Sequence, residues 1–297
     1  MRIVSLVPHA TELLFALGLG DQVVGVTHEC DHPAGALERP HVTRDRLPAG
    51  LGAAEIDAAV REFTQGGEAI YELDEEFLRD LEPDLIVTQA LCPVCAVSYE
   101  DVRAIAERLE PSPVVVSLDP KTYGETLSDI RTIANATGTK AAGVDLVART
   151  ARRVDAVRIA VKDAERRPRV AAIEWFDPVF VAGHWTPQLI DMAGGVDVLG
   201  FAGEHSEQTT WEMVKAARPD VVVAMPCGYD AERSAAEALL YSERLREVGA
   251  GQVVAVDAAG TFSRPGPRLV DGLETLAHVL HPDRVPEAPG PALVVDV

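Results

Sequence analysis

The chain is short of positive charge, of cysteine, of aromatic side chains and of long apolar runs. Lys and Arg number 27 against 47 Asp and Glu, a net charge of −20; nucleic acids and anionic membranes both require a basic footprint, so this balance excludes them as partners and serves solubility instead. No apolar stretch reaches the roughly 20 residues of a spanning helix, which argues against membrane insertion. Met1-Arg2-Ile3-Val4-Ser5-Leu6-Val7 runs straight into an expected strand. It shows no basic start, apolar run and small-residue cleavage site of a secretory signal, so the sequence predicts a cytoplasmic protein. The four cysteines are then expected as free thiols, metal ligands or redox groups rather than structural bridges. A glycine-rich phosphate loop and a nucleophile-elbow serine are both missing, and no carboxylate pair can be assigned as acid and base. Whether the chain catalyses a reaction is thus left open by its motifs.

What the chain does have is a repeated plan. With 297 residues, 47% of them hydrophobic, it can bury one large core or two ordinary ones, and its length suggests about two domains. In the first half a helix over Ala10 to Leu17 stops at Gly18 and the strand Gln22 to Gly25 follows. In the second half Thr186 caps a helix with Pro187 at its first position, Gly194-Gly195 stop it, and Val196 to Gly200 follows. The block Leu78 to Val87 parallels Val214 to Val223: a helix end, a Pro-Asp turn and a buried strand. Continuous apolar strands alternating with helices predict an α/β fold with two lobes of parallel sheet. Between them Thr122 to Thr137 and Lys140 to Arg166 read as helices. The second is long enough, at roughly 40 Å, to join the lobes as a backbone. Val147, Ala151, Val154, Val161 and Ala164 form its apolar stripe, and Arg149, Arg152, Arg153 and Arg158 are expected on a solvated face. The predicted boundaries are 1–121 for the N-terminal lobe, 122–167 for the linking helices, 168–282 for the C-terminal lobe and 283–297 for a loose tail. Arg39 to Gly52 reads as loop.

Chemistry gathers just past the carboxyl ends of the expected strands, where an open α/β sheet places its ligands. Cys30 follows Val23 to Thr27, Cys92 and Cys95 follow Leu85 to Thr88, and Cys227 follows Val221 to Met225. His28, Glu29 and His32 surround Cys30, Gln89 directly follows Thr88, and Pro8 and His9 occupy the first strand-to-helix turn. Trp175, His184, Trp185 and Tyr229 sit in the same kind of position in the second half, and Arg264 lies in a Gly/Pro loop after Val253 to Asp257. Two residues between Cys92 and Cys95 let both sulfurs reach one metal or form a redox disulfide. With Cys30 and Cys227 they complete a four-thiolate set suited to zinc or an iron–sulfur cluster. The other readings are a thiolate bound to a metal inside the ligand, and four separately buried thiols. His32 is a weaker metal candidate. Thr209 and Glu212 read as a capping box, which makes Trp211 a packing residue in a first helical turn.

The opening unit Ser5 to Glu12, the two lobes and the long helix together resemble the class III periplasmic substrate-binding proteins. Within them the chain looks most like a signal-less group related to the cobalamin-binding branch, through His28-Glu29-Cys30-Asp31-His32-Pro33, Glu174 to Pro178 with Gly183-His184-Trp185, and Ser263 to Gly272. The resemblance implies a binding protein that holds a corrinoid or another small-molecule metal chelate between its lobes. Aromatic side chains would stack on that ligand, with His or Cys contacts to its metal. The ligand-binding candidates are Pro8, His9, His28, Glu29, Gln89, Trp175, His184, Trp185, Tyr229 and Arg264. A metalloprotein or enzyme with a cysteine-ligated site is the alternative. An ABC permease is expected to be a doubtful partner for want of a signal sequence.

Overall fold

The computed structural model describes residues 1–48, 50–65, 70–90 and 99–297. Its chain divides into two compact units, Met1–Pro120 with Leu127–Leu146, and Lys121–Thr126 with Val147–Val297. Elements run in the order β1 (Ile3–Ser5), α1 (Pro8–Ala16), β2 (Val23–Gly25), β3 (Thr43–Asp45), α2 (Ala53–Gln65), β4 (Tyr71–Leu73), α3 (Glu75–Asp80), β5 (Leu85–Thr88), α4 (Tyr99–Arg108) and β6 (Val114–Ser117), then the helices α5 (Tyr123–Ala136) and α6 (Lys140–Val161). There follow β7 (Arg169–Phe176), β8 (Val179–Val181), α7 (Thr186–Met192), β9 (Val196–Asp197), β10 (Glu207–Gln208), α8 (Trp211–Ala217), β11 (Val221–Ala224), α9 (Ala231–Leu240), α10 (Ser242–Val248), β12 (Gln252–Val256), α11 (Ala258–Thr261), α12 (Leu269–Leu280) and β13 (Ala292–Val294).

The first unit carries a parallel sheet in the order β2-β1-β5-β6, with Ile3 opposite Val23 and Leu85, and Leu85 opposite Val114. The second carries the order β10-β8-β7-β11-β12-β13, with β9 also paired to β7. One edge of β7 is shared: β9 lies parallel along Arg169 and Val170, and β8 returns antiparallel along Ile173 to Phe176. The parallel part of this sheet, β9-β7-β11-β12, therefore repeats the order of the first. β1, β5 and β11 are buried throughout, as strands covered on both faces must be. Val4, Leu6, Leu78, Ile86 and Ile105 centre the first core, and Ile173, Phe176, Val222, Leu245 and Val253 the second.

The repeat extends to individual bonds. Glu82 at φ 42° and Arg218 at φ 47° each occupy the left-handed region directly ahead of Pro83 and Pro219. The aspartate that follows each proline accepts the first backbone N–H of the neighbouring strand segment. Arg2 N donates to Asp84 Oδ2 at 2.6 Å and Arg169 N to Asp220 Oδ2 at 2.8 Å. The same arginines cap helix ends, Arg2 Nε on Leu81 O and Arg169 on the carbonyls of Ala217 and Arg218.

Several expectations are corrected. α6 ends at Val161, five residues before Arg166, where the guanidinium of Arg284 takes the carbonyls of Ala160 and Asp163. Arg153 is not on a solvated face: it is half-buried and binds Glu274 at 2.8 Å and Asp271 at 2.5 Å on α12. The stripe 39–52 expected as loop contains β3, paired antiparallel with β4. The terminal segment is not loose, because β13 pairs with β12 and Val295 enters the second core. The cap of α8 is Thr210, one residue later than read, with Met213 N as its donor. Trp211 packs on Phe176 and Tyr241 as expected. The cap of α7 is Trp185, not Thr186.

Candidate functional site

In the second unit the carboxyl ends of β7 and β11 deliver Trp175 and Tyr229 to each other. Their rings meet edge to face at 5.9 Å, and the Arg233 guanidinium lies 3.7 Å from the centre of the Tyr229 ring, a cation–π stack. Arg233 was not singled out from the sequence, although four residues after Tyr229 and in the first turn of a helix is where such a partner would fall. Burial raises the Tyr229 phenol, against the opposing charge of Arg233. The loops are tied down around this group: Cys227 N donates to Glu174 O at 3.2 Å, Ala259 N to Tyr229 O at 2.9 Å, and Gly228 N to Ser263 Oγ at 3.4 Å. Cys227 is exposed. Trp175 Nε1 and Glu174 Oε2 are among the buried side-chain polar atoms that have no hydrogen-bond partner among the described residues. Burial also raises the Glu174 carboxyl above the ordinary carboxylate range, opposed by a hydrogen bond with Ser206.

Trp185, the other tryptophan expected to meet a ligand, is a buried anchor in the structure. Only 5% of it is exposed, and its indole N–H donates to Phe262 O at 2.8 Å, so it anchors the loop before α7 to the end of α11. His184 adopts φ 51°, and its Nε2 lies 3.2 Å from His205 Nδ1. Burial, with the charges of His205 and Lys121, lowers the His184 imidazole. Arg264 is half-buried in the loop before α12, and Arg268 opens that helix as its N-cap residue.

The first unit furnishes a cluster of hydrogen-bonded polar groups around one aromatic ring, Tyr71. His28 Nδ1 lies 2.8 Å from Thr43 Oγ1 and its ring 5.1 Å from that of Tyr71, whose hydroxyl donates to Glu29 Oε1 at 2.9 Å. Thr43 and Tyr71 belong to β3 and β4, which the sequence did not pair, so this cluster was half hidden. Pro8 and His9 form the first turn of α1, His9 being buried; Gln89 is buried after β5; His32 is exposed. Cys30 is a packed thiol, 1% exposed, with its sulfur 3.1 Å from both Thr11 Oγ1 and Thr27 Oγ1. A sulfur enclosed between two hydroxyls is not presented as an open metal ligand. Cys92 and Cys95 lie outside the described residues. Among the described residues no group of three or more His, Cys, Asp or Glu is placed to hold a metal ion. The expected zinc or iron–sulfur site is therefore without support.

A periplasmic binding protein family model matches residues 3–254. The chain belongs to the periplasmic binding protein family. Within that family it is similar to the vitamin B12-binding protein of Vibrio cholerae, 24% identical over 288 residues that cover 94% of this chain and 88% of the relative. It is also 24% identical over 298 residues to an ABC transporter substrate-binding lipoprotein of Bacillus subtilis, covering 96% of this chain and 82% of the relative. Among solved structures, the periplasmic heme-binding protein of Vibrio cholerae matches with a TM-score of 0.72 at 21% identity, over 95% of this chain and 99% of the other. That likeness bears on the fold, and it agrees with the two α/β units. The doubt about an ABC permease as partner is withdrawn: it rested on how the chain begins, and a family member matching nearly the whole chain is a transporter's substrate-binding protein. Among the described residues no helix is long and apolar enough to cross a membrane.

Proposed function

We propose that this solute-binding protein takes up a flat metal chelate, a corrinoid or a haem, against Trp175 at the carboxyl end of its second sheet, with the buried Tyr229 ring supporting that indole from behind. The observation that carries this reading is that Trp175 Nε1 and, on the residue before it, Glu174 Oε2 are buried without a hydrogen-bond partner among the described residues. Burying a donor or acceptor without a partner costs about 1–3 kcal/mol, and buried polar groups are nearly always satisfied. A ligand whose rim carries both acceptors and donors, such as amide or carboxyl substituents, would satisfy them while its face lies on aromatic carbon. With its carboxyl proton retained, Glu174 can donate as well as accept. The names of relatives support this ligand class, since one binds vitamin B12 and another heme.

Titration of the purified chain with hydroxocobalamin and with haemin tests the reading. The expected result is a shift of the visible bands of at least one of them that saturates at one ligand per chain. Silence from both at roughly 100 µM, weaker than any useful capture, defeats it. Delivery to an ABC permease and holding the ligand in the cytoplasm are rival uses of this one activity. The relatives favour delivery. Fractionation of cells making the full gene product separates the two uses: recovery outside the cytoplasm supports delivery, and recovery within it supports the location expected from the sequence.

A further inference from the structure

His184 and His205 are held together by backbone, not by chance contact of two mobile side chains. His184 N donates to Glu204 O at 2.6 Å, and Gly203 N donates back to His184 O at 2.9 Å. Gly183 N adds a third bond to Ser206 Oγ at 3.3 Å. The two segments lie so close that a Cβ on Gly183 would stand 2.5 Å from Glu204 O and 2.6 Å from His205 C, so glycine is the residue that permits the approach. His184, at φ 51°, is thereby fixed in a backbone state that few side chains adopt unaided. The outcome is two imidazole rings at 89° with Nε2 and Nδ1 3.2 Å apart.

That separation has a second meaning. Two nitrogens that each sit about 2.0–2.1 Å from one metal are about 2.9 Å apart at a right angle and about 3.4 Å apart at the tetrahedral angle. We propose that His184 and His205 form a chelating two-nitrogen site for a divalent first-row transition ion, copper(II) bound tightest and nickel(II) and zinc(II) less tightly. The ion replaces the proton that the two nitrogens share in the metal-free chain, and that proton moves to the outer nitrogen of its ring. His205 is exposed and His184 half-exposed, so water completes the coordination, in keeping with the want of a third protein ligand among the described residues. Lys121 is the charged group that opposes an ion there. A planar macrocycle does not satisfy this pair: its metal offers one open position on each face, trans to each other, whereas these nitrogens are cis. The site is therefore separate in chemistry from the proposed chelate pocket.

The test uses the full chain without an affinity tag and without any corrinoid or haem, so its result does not depend on whether those ligands bind. Copper(II), nickel(II) and zinc(II) are titrated against a competing chelator, and the copper form is examined by electron paramagnetic resonance. The expected result is one ion per chain, affinity falling from copper to zinc, and splitting from two nitrogens. His205→Ala and His184→Ala should each weaken binding at least about tenfold. Because His205 is exposed, its variant is expected to keep the melting temperature of the parent. Absence of stoichiometric binding, or binding that survives both substitutions unchanged, overturns the proposal; transfer of that residual binding to loss in Cys227→Ser would locate the ion on sulfur instead.

Discussion

In each unit four parallel strands run in one order, β2-β1-β5-β6 in the first and β9-β7-β11-β12 in the second, and the same Arg–Asp clasp fastens the strand entrances. The strand ends differ. The first unit presents His28, Glu29, Thr43 and Tyr71, bonded among themselves. The second presents Trp175, Tyr229 and Arg233, with two buried polar atoms left over. A shared frame thus carries two differently furnished ends, each with buried polar atoms that lack a partner among the described residues, Thr88 Oγ1 in the first unit and Trp175 Nε1 and Glu174 Oε2 in the second. Free energy left unsatisfied in a fold is where a ligand can act, since it gains what the protein forgoes.

The largest test of this contrast is Trp185→Ala. The second unit's loops lean on a buried indole bonded to Phe262, so its loss should cost about 3–5 kcal/mol in urea unfolding. His28→Ala in the first unit removes one partly exposed hydrogen bond and should cost about 1 kcal/mol. Equal losses would show that the second unit has no special aromatic anchor. Next in size is the matched pair Asp84→Ala and Asp220→Ala, each expected to lower stability by about 1 kcal/mol and to agree within about 0.5 kcal/mol. A clear inequality would mean that the clasps only look alike. The smallest effect concerns Glu174. Its folded-state carboxyl is raised above the unfolded value, so its contribution is fullest at low pH and is lost as pH rises past the ordinary carboxylate range. Glu174→Gln should therefore gain on the parent chain between pH 4 and pH 8 in paired melts; a constant difference across that range would remove the argument for a carboxyl under strain.

The repeat and the parallel sheets were legible because their signals are local: apolar strand runs, Pro-Asp turns and glycines such as Gly18 and Gly194, at φ 77° and 82°, that end helices in both halves. The edge strands β3 and β13 were not, since a three-residue, partly exposed strand exists only where a neighbour leaves an edge free. Arg153 shows the same limit, its partners on α12 lying more than a hundred residues away. At the site, Trp175 and Trp185 look equivalent in sequence, and what separates them is a carbonyl at Phe262 that only one of them meets. Cys30 illustrates the converse, for position past a strand end did not decide whether its sulfur faced outward or into Thr11 and Thr27.

The most direct measurement compares calorimetric titrations of haemin and hydroxocobalamin into the parent chain and into Trp175→Ala. Loss of one stacking ring and one donor should weaken the bound ligand about tenfold or more while the metal-free melting temperature changes little. Unchanged affinity in a folded Trp175→Ala chain would contradict the assignment of the ligand to this face.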